Sequence, residues 1–397
     1  MAAQCRSRWG FSSQLSVTII TTCFLILAIA VPALWAQQGD STPPPSNTQA
    51  VPGAGGPEGD IGPYSVPKKK EEPPPERPRP PKNPPEIANF SITKDVSLVT
   101  VPVLVTTNNG QFIPGLKQQN FKLWEDGVPQ SINTFNLAQA SITAVLLVEF
   151  ADIPYPFLRD TLNGAYAFAQ SLKPDDWIAV VYYDMKPHIL TDFTQDKRAV
   201  LGALNQLRIP GFRERNLFDA LYDTIDRLEG IEGRKYIIVI ATGRDTFSKI
   251  TYDKTLKRIQ GTKDIAIFTV STGWAFRNWM QAMSGNSLGG ALRDMDYLQA
   301  DNQMATFAKM TGGRHYSPRF QAEFPEIFRD VGNSIRNQYV LSYHPTNPQL
   351  DGTYRKLKVE LVDPQTGGPL KIADQKGKNV KYSVIAREGY TAKHQVE

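Results

Sequence analysis

Four histidines, His188, His315, His344 and His394, are the first side chains to test for chemistry. None belongs to an H-E-x-x-H pair, the spacing that puts two imidazoles on one helix face for zinc. No G-x-S-x-G elbow presents a serine nucleophile. The two cysteines, Cys5 and Cys23, both lie in an apolar N-terminal segment, so the rest of the chain has no thiol, disulfide or Cys-rich zinc site. The GIEGRK stretch at 230–235 lacks the spacing and the Ser/Thr of a phosphate loop, and reads as a helix stop before a strand. No nucleophile–base set emerges, and each histidine reads as a packing or surface residue. The sequence thus points away from an enzyme.

Two stretches carry binding chemistry instead. STGWAFRNWMQAM supplies Trp274, Phe276, Arg277, Trp279, Met280 and Met283, residue types enriched in the cores of protein interfaces. It reads either as a lid packed on its own flank or as a partner-binding patch, with the polar SGNSLGG after it as a flexible insert. GFRERN sets Arg213 and Arg215 against Glu214, a loop of charge +1 and a weak anion binder by itself.

The elements that position these stretches follow from periodicity. Apolar β runs at 143–150, 177–183, 188–193, 236–242, 264–270 and 314–317 alternate with amphipathic helical stretches. Those helices are expected at 156–172, 196–207, 216–229, 251–261, 299–311 and 321–337. In NLFDALYDTIDRL, Leu217, Leu221, Ile225 and Leu228 share one face. Alternation of this kind predicts an α/β fold: a doubly wound, mostly parallel sheet with helices on both faces. Small β segments flank it. VSLVTVPVLVT and a hairpin across Asp126-Gly127 precede it, and YVLSYHP, YRKLKVELVDP and KYSVIAREGYTA follow. The expected boundaries are 87–140 for the first β module, 141–337 for the α/β domain and 338–397 for the C-terminal β segment and tail.

Composition separates the remainder. Residues 1–36 contain no Asp, Glu or Lys; Arg6 and Arg8 precede an apolar run from Leu15 to Ala36. This reads as a signal peptide cleaved after Ala36, or as an uncleaved membrane anchor through residues 15–36. Either sends the rest out of the cytoplasm, to the periplasm, the cell envelope or beyond. Residues 37–86 hold fifteen of the thirty prolines and almost nothing to bury, and are expected to form a disordered, extended tether. The chain of 397 residues has a formal charge of +5, with no basic cluster to suggest nucleic acid.

The order of these parts resembles a von Willebrand factor type A domain, and more closely a secreted bacterial subgroup that flanks such a domain with β segments. LWEDGVPQSINTF, AVLLVEF, NLFDALYDTI, YIIVIATGRDTFS, MATFAKMTGGRHYSP, YVLSYHPTNPQLDGTYRKLKV and VIAREGY carry the resemblance, over about residues 94–391. Type A domains hold Mg²⁺ with a D-x-S-x-S motif after the first strand, a Thr before a later helix and an Asp after the central strand. Here those positions fall on Glu149, Ala151 and Ile153, on Arg215 (or Asn216 with a one-residue slip), and on Thr242. None keeps its usual residue, so the resemblance implies a degenerate metal site and no cofactor. Arg215 is expected to pair with Glu149. A remodelled Mg²⁺ or Ca²⁺ site around Glu149, Asp152 and Asp245 is the alternative. The expected function is metal-independent recognition of a protein partner in the cell envelope. Asp152, Tyr155, Arg213, Arg215, Trp274, Phe276 and Trp279 are the candidate contacts on the upper face.

Overall fold

Val99–Thr107 (β1) is rich in valine, and its inward residues Val101, Val103 and Val105 are fully buried. Phe121–Glu125 (β2) and Val128–Gln130 (β3) form the expected hairpin. Asp126 and Gly127 both take positive φ, 48° and 83°, the left-handed pair that a tight two-residue hairpin turn requires. Ile132–Leu137 (β4) leads into the central domain. This computed structural model describes residues 98–138, 140–284, 291–373 and 377–392. The expectations for residues 1–36 and 37–86, and for most of the SGNSLGG insert, lie outside the described residues. Among the described residues no helix is long and apolar enough to cross a membrane.

The central domain runs β5 (Ile142–Glu149), α1 (Tyr155–Ser171), β6 (Trp177–Tyr183), β7 (Pro187–Thr194), α2 (Lys197–Leu204) and α3 (Leu217–Glu229). It continues through β8 (Arg234–Ala241), α4 (Tyr252–Gln260), β9 (Ile265–Ser271), α5 (Gly273–Ser284), α6 (Ala291–Thr311), β10 (His315–Tyr316) and α7 (Phe324–Arg336). The sheet order is β10-β9-β8-β5-β6-β7, parallel except for the antiparallel edge strand β7. Strand β5 explains the layering. Successive side chains point to opposite faces. Ala144, Leu146 and Val148 pack beneath α1, α2 and α7, while Val145 and Leu147 meet α3 and α6. On α3 the expected face, Leu217, Leu221, Ile225 and Leu228, is fully buried, each side chain contributing about 1.5–3 kcal/mol.

Two features differ from the sequence reading. Residues 273–284, read as a lid or patch and assigned no element, form helix α5, and α6 begins at Ala291 rather than near 299. The Gly- and Ser-rich insert between them masked a helical pattern on either side. The second difference concerns the β flanks. After α7 come β11 (Tyr339–Tyr343), β12 (Tyr354–Leu361), β13 (Ile372–Ala373), β14 (Asn379–Val380), β15 (Tyr382–Ala386) and β16 (Gly389–Thr391). They do not stand apart from β1–β4. One sheet has the order β15-β1-β11-β4, the other β16-β12-β2-β3. Their inner faces share one core, including Val101, Val103, Leu123, Tyr339, Leu341 and Tyr390. The flanks before and after the α/β domain are thus one β-sandwich. Neither segment has enough apolar surface to bury alone, and long-range pairing is invisible to local periodicity.

Candidate functional site

The strand order reverses between β5 and β8, which diverge to opposite halves of the sheet. In open parallel sheets such a switch point opens a crevice at the carboxyl ends of the strands. Glu149 is the last residue of β5, and Thr242 directly follows β8. Arg215 lies two residues before α3. All three are buried, Glu149 at 1% exposure and Arg215 at 6%.

The Glu149 carboxylate is fully engaged. Arg215 Nε donates to Oε1 at 2.6 Å. The Thr242 backbone N–H donates to Oε2 at 2.7 Å, and the Thr242 hydroxyl lies 2.8 Å from the same oxygen. The remaining guanidinium nitrogens donate to the carbonyls of Arg213 (3.1 Å) and Ala151 (3.3 Å). Burial opposes the Arg215 charge, but Glu149 outweighs it and raises the guanidinium pKa above its usual value. Beside the pair, burial first and then the Glu149 charge push the Tyr183 phenol well up, and its hydroxyl makes no hydrogen bond of standard geometry.

A hard cation would need several oxygen ligands here. Ala151 and Ile153 are buried and offer no side-chain oxygen, and a guanidinium already stands on the one carboxylate. The residues at this crevice therefore do not fit a metal ion. The alternative grouping of Glu149, Asp152 and Asp245 does not assemble either. Asp245 accepts from the Phe218 N–H at 3.0 Å, and from the Ser248 hydroxyl at 2.5 Å, so it caps α3. Asp152 takes φ +45° and turns its side chain to solvent, 4.0 Å from Arg213. Among the described residues no group of three His, Cys, Asp or Glu side chains stands close enough to hold a metal.

The loops above the pair are knitted by backbone bonds: Asp152 N–H to the Phe212 carbonyl, and the Thr246 and Phe247 N–H groups to the Arg215 carbonyl. They leave Tyr155, Ile209, Phe212 and Phe247 exposed at 42%, 83%, 49% and 54%. Exposed apolar side chains beside charged ones make these loops a candidate contact surface. Of the candidate contacts, Asp152, Tyr155 and Arg213 lie on this surface. Arg215 does not: it is buried beneath it and positions its loop. Sequence reasoning missed Ile209, Phe212 and Phe247, although GFRERN contained the signal in an aromatic beside two arginines.

Helix α5 divides its aromatics. Phe276 and Trp279 pack against Phe157 of α1, ring centroids 5.4 and 6.0 Å apart, and belong to the domain's own flank. Both rings are half-buried, which matches the lid reading of this stretch. Trp274 is also half-buried, with Arg277 and Arg319 guanidiniums 5.7 and 5.2 Å from its ring and Tyr297 adjacent. His315 lies between Thr269 (2.9 Å) and Asp301 (3.2 Å). Thr269 is fully buried and its hydroxyl also reaches the Met304 carbonyl at 3.2 Å, so this chain of groups clamps α6 to β9 and β10.

The fold is similar to solved von Willebrand factor type A domains. No protein-family model and no curated protein matches the chain. Among solved structures, a von Willebrand factor type A protein from Catenulispora acidiphila is 11% identical and covers 76% of each chain at a TM-score of 0.38. BatB from Bacteroides thetaiotaomicron is 12% identical over 49% of this chain and 98% of its own, TM-score 0.37. The vWF domain of the type V pili tip protein Mfa5 from Porphyromonas gingivalis is 12% identical over 50% and 96%, TM-score 0.37.

Proposed function

We propose that this chain is an exported, non-enzymatic protein-binding module that engages a partner in the cell envelope through its upper face, without a bound metal. The observation that carries this reading is the Glu149–Arg215 pair. A guanidinium makes the contact with Glu149 that a divalent cation would make, and it ties down the loops carrying Asp152, Tyr155, Phe212 and Arg213. A fixed organic cation lets the surface stay formed whatever the metal supply. Residues 15–36 serve as signal or anchor in this reading, and residues 37–86 as the tether that holds the domain away from its attachment.

Thermal melts and titration calorimetry with Mg²⁺ or Ca²⁺ against chelator test the mechanism. No metal-specific shift is expected, and a clear one overturns it. Pull-down from envelope extract tests the surface. Arg213→Glu with Phe212→Ser is expected to lose a protein that the wild type captures, while Trp279→Ala retains it in proportion to folded protein. Equal capture by wild type and the double variant overturns the assignment to this face.

A further inference from the structure

A cavity lies beside the edge strand β10, between the β-sandwich and helix α7. Its volume is about 670 Å³, within the range of ligand pockets. The turn after β1 (Asn108, Asn109, Gly110, Gln111) forms one wall, and α7 (Glu326, Arg329, Asn333) the other. Arg314, just before β10, and Tyr316 lie at its base.

That base is rigid. Arg314 pairs with Asp330 at 2.6 Å and bonds Ser334 at 3.3 Å, and the Tyr316 hydroxyl donates to Asp330 at 3.0 Å. Gly110 takes φ +81°, and a Cβ there would lie 3.4 Å from Asp330 and 3.5 Å from the Arg314 guanidinium. The sandwich turn therefore closes directly over the ion pair. The walls contrast with this base. The side chains of Asn108, Asn109, Gln111, Arg329 and Asn333 have no hydrogen bond or ion pair among the described residues.

We propose that this cleft binds a saccharide. Asn, Gln, Arg and Glu side chains carry two polar atoms in one plane, a spacing that meets two neighbouring hydroxyls. The half-buried Phe112 and Ile327 add apolar surface for the C–H face of a sugar ring. Charge argues against an anionic ligand. Arg314 is committed to Asp330, and Arg329 is offset by Glu326 on the same helix wall. The lining sets two arginines against three carboxylates, Glu323, Glu326 and Asp330, a formal charge of −1 that disfavours an anion, and its unpartnered planar side chains fit a neutral polyhydroxylated ligand. This inference is independent of the upper-face reading.

Isothermal titration and saturation-transfer NMR of the full chain with chitotriose, cellotriose and maltotriose test it. At least one is expected to bind saturably. Arg329→Ala with Asn333→Ala, both exposed positions, is expected to weaken that binding roughly tenfold, the loss of one or two hydrogen bonds. Trp274→Ala, on the upper rim, leaves it unchanged. If none of the three sugars binds, or if the double variant binds as tightly as the wild type, the proposal fails.

Discussion

Among the described residues two glutamate–arginine pairs are buried, one in the α/β domain and one in the sandwich. In the α/β domain Glu149 meets Arg215 and is completed by Thr242. In the sandwich Glu125 meets Arg355 at 3.2 Å and is completed by the hydroxyls of Tyr343 (2.5 Å) and Tyr390 (2.8 Å). Arg355 also donates to the carbonyls of Asn347 and Gln349. Chemically the centres are alike in having a buried carboxylate, one guanidinium, hydroxyl donors and backbone carbonyls on the outer guanidinium nitrogens, but the Arg215 Nε bonds its carboxylate while the buried Arg355 Nε makes no hydrogen bond among the described residues. They differ in what surrounds them. Glu125 is enclosed by two β layers, and its arginine holds the loop between β11 and β12. Glu149 sits at the switch point of a parallel sheet, and its arginine holds a loop whose outer residues are exposed and apolar. A buried ion pair by itself marks no site. Topology decides whether the loop it anchors faces a partner or merely closes a core.

The largest effect expected is from removing either guanidinium. Arg215→Ala and Arg355→Ala each leave a buried carboxylate unpaired, which costs about 3–5 kcal/mol. Chemical denaturation measures this. The comparison is sharpened by capture of an envelope partner per folded molecule: Arg215→Ala lowers it and Arg355→Ala does not. Equal losses in capture would break the distinction drawn between the two centres.

Hydroxyl donors come next. Thr242→Val removes one hydroxyl from Glu149, and Tyr343→Phe removes one from Glu125. A hydrogen bond to a charged group contributes about 1.5–3 kcal/mol. Thr242 still donates through its backbone at 2.7 Å, so the Thr242→Val loss is expected near the lower bound. Tyr343→Phe has no such backbone donor in reserve and is expected to lose more. The reverse order in denaturation midpoints would show that the two carboxylates are not held in the way described.

The two centres were unequally legible from sequence. Glu149 ends an apolar run and Arg215 lies two residues before an amphipathic helix, so the motif positions of the type A resemblance could be laid on both. The fold was legible for the same reason: β5, β6, β8 and β9 are short apolar runs between helical periods. Glu125 and Arg355 were opaque. They lie 230 residues apart in sequence, on strands that pair only because the chain's two flanks meet across the α/β domain. The exposure of Phe212 and Phe247 was equally hidden, since an aromatic in a loop reads the same whether it packs or protrudes. Phe276 and Trp279 show the converse: interface-type residues whose direction was set by a helix that the Gly-rich insert obscured.

The smallest effect separates the centres by alkali. Burial, reinforced by the Glu125 carboxylate, pushes the Tyr390 phenol up to about 12, against ~10 for an unperturbed tyrosine. A pKa raised on folding means that the native state favours the protonated form. Its contribution to stability is complete below about pH 10 and is lost as pH rises through about 12. Tyr390→Phe should therefore flatten the fall in unfolding free energy over that window, in addition to the cost at neutral pH of losing a hydrogen bond to Glu125. Tyrosinate absorbance followed in the same titration should show Tyr390 ionising with, or only shortly before, unfolding of the sandwich. Tyr183, also raised by burial and by the charge of Glu149, donates to no acceptor in standard geometry. Its contact with Glu149 is less well aligned than the Tyr390 bond to Glu125, so Tyr183→Phe should cost less at neutral pH than Tyr390→Phe. If it costs more, the Glu149 centre leans on its phenol as the Glu125 centre does, and the likeness of the two centres is closer than their surroundings imply.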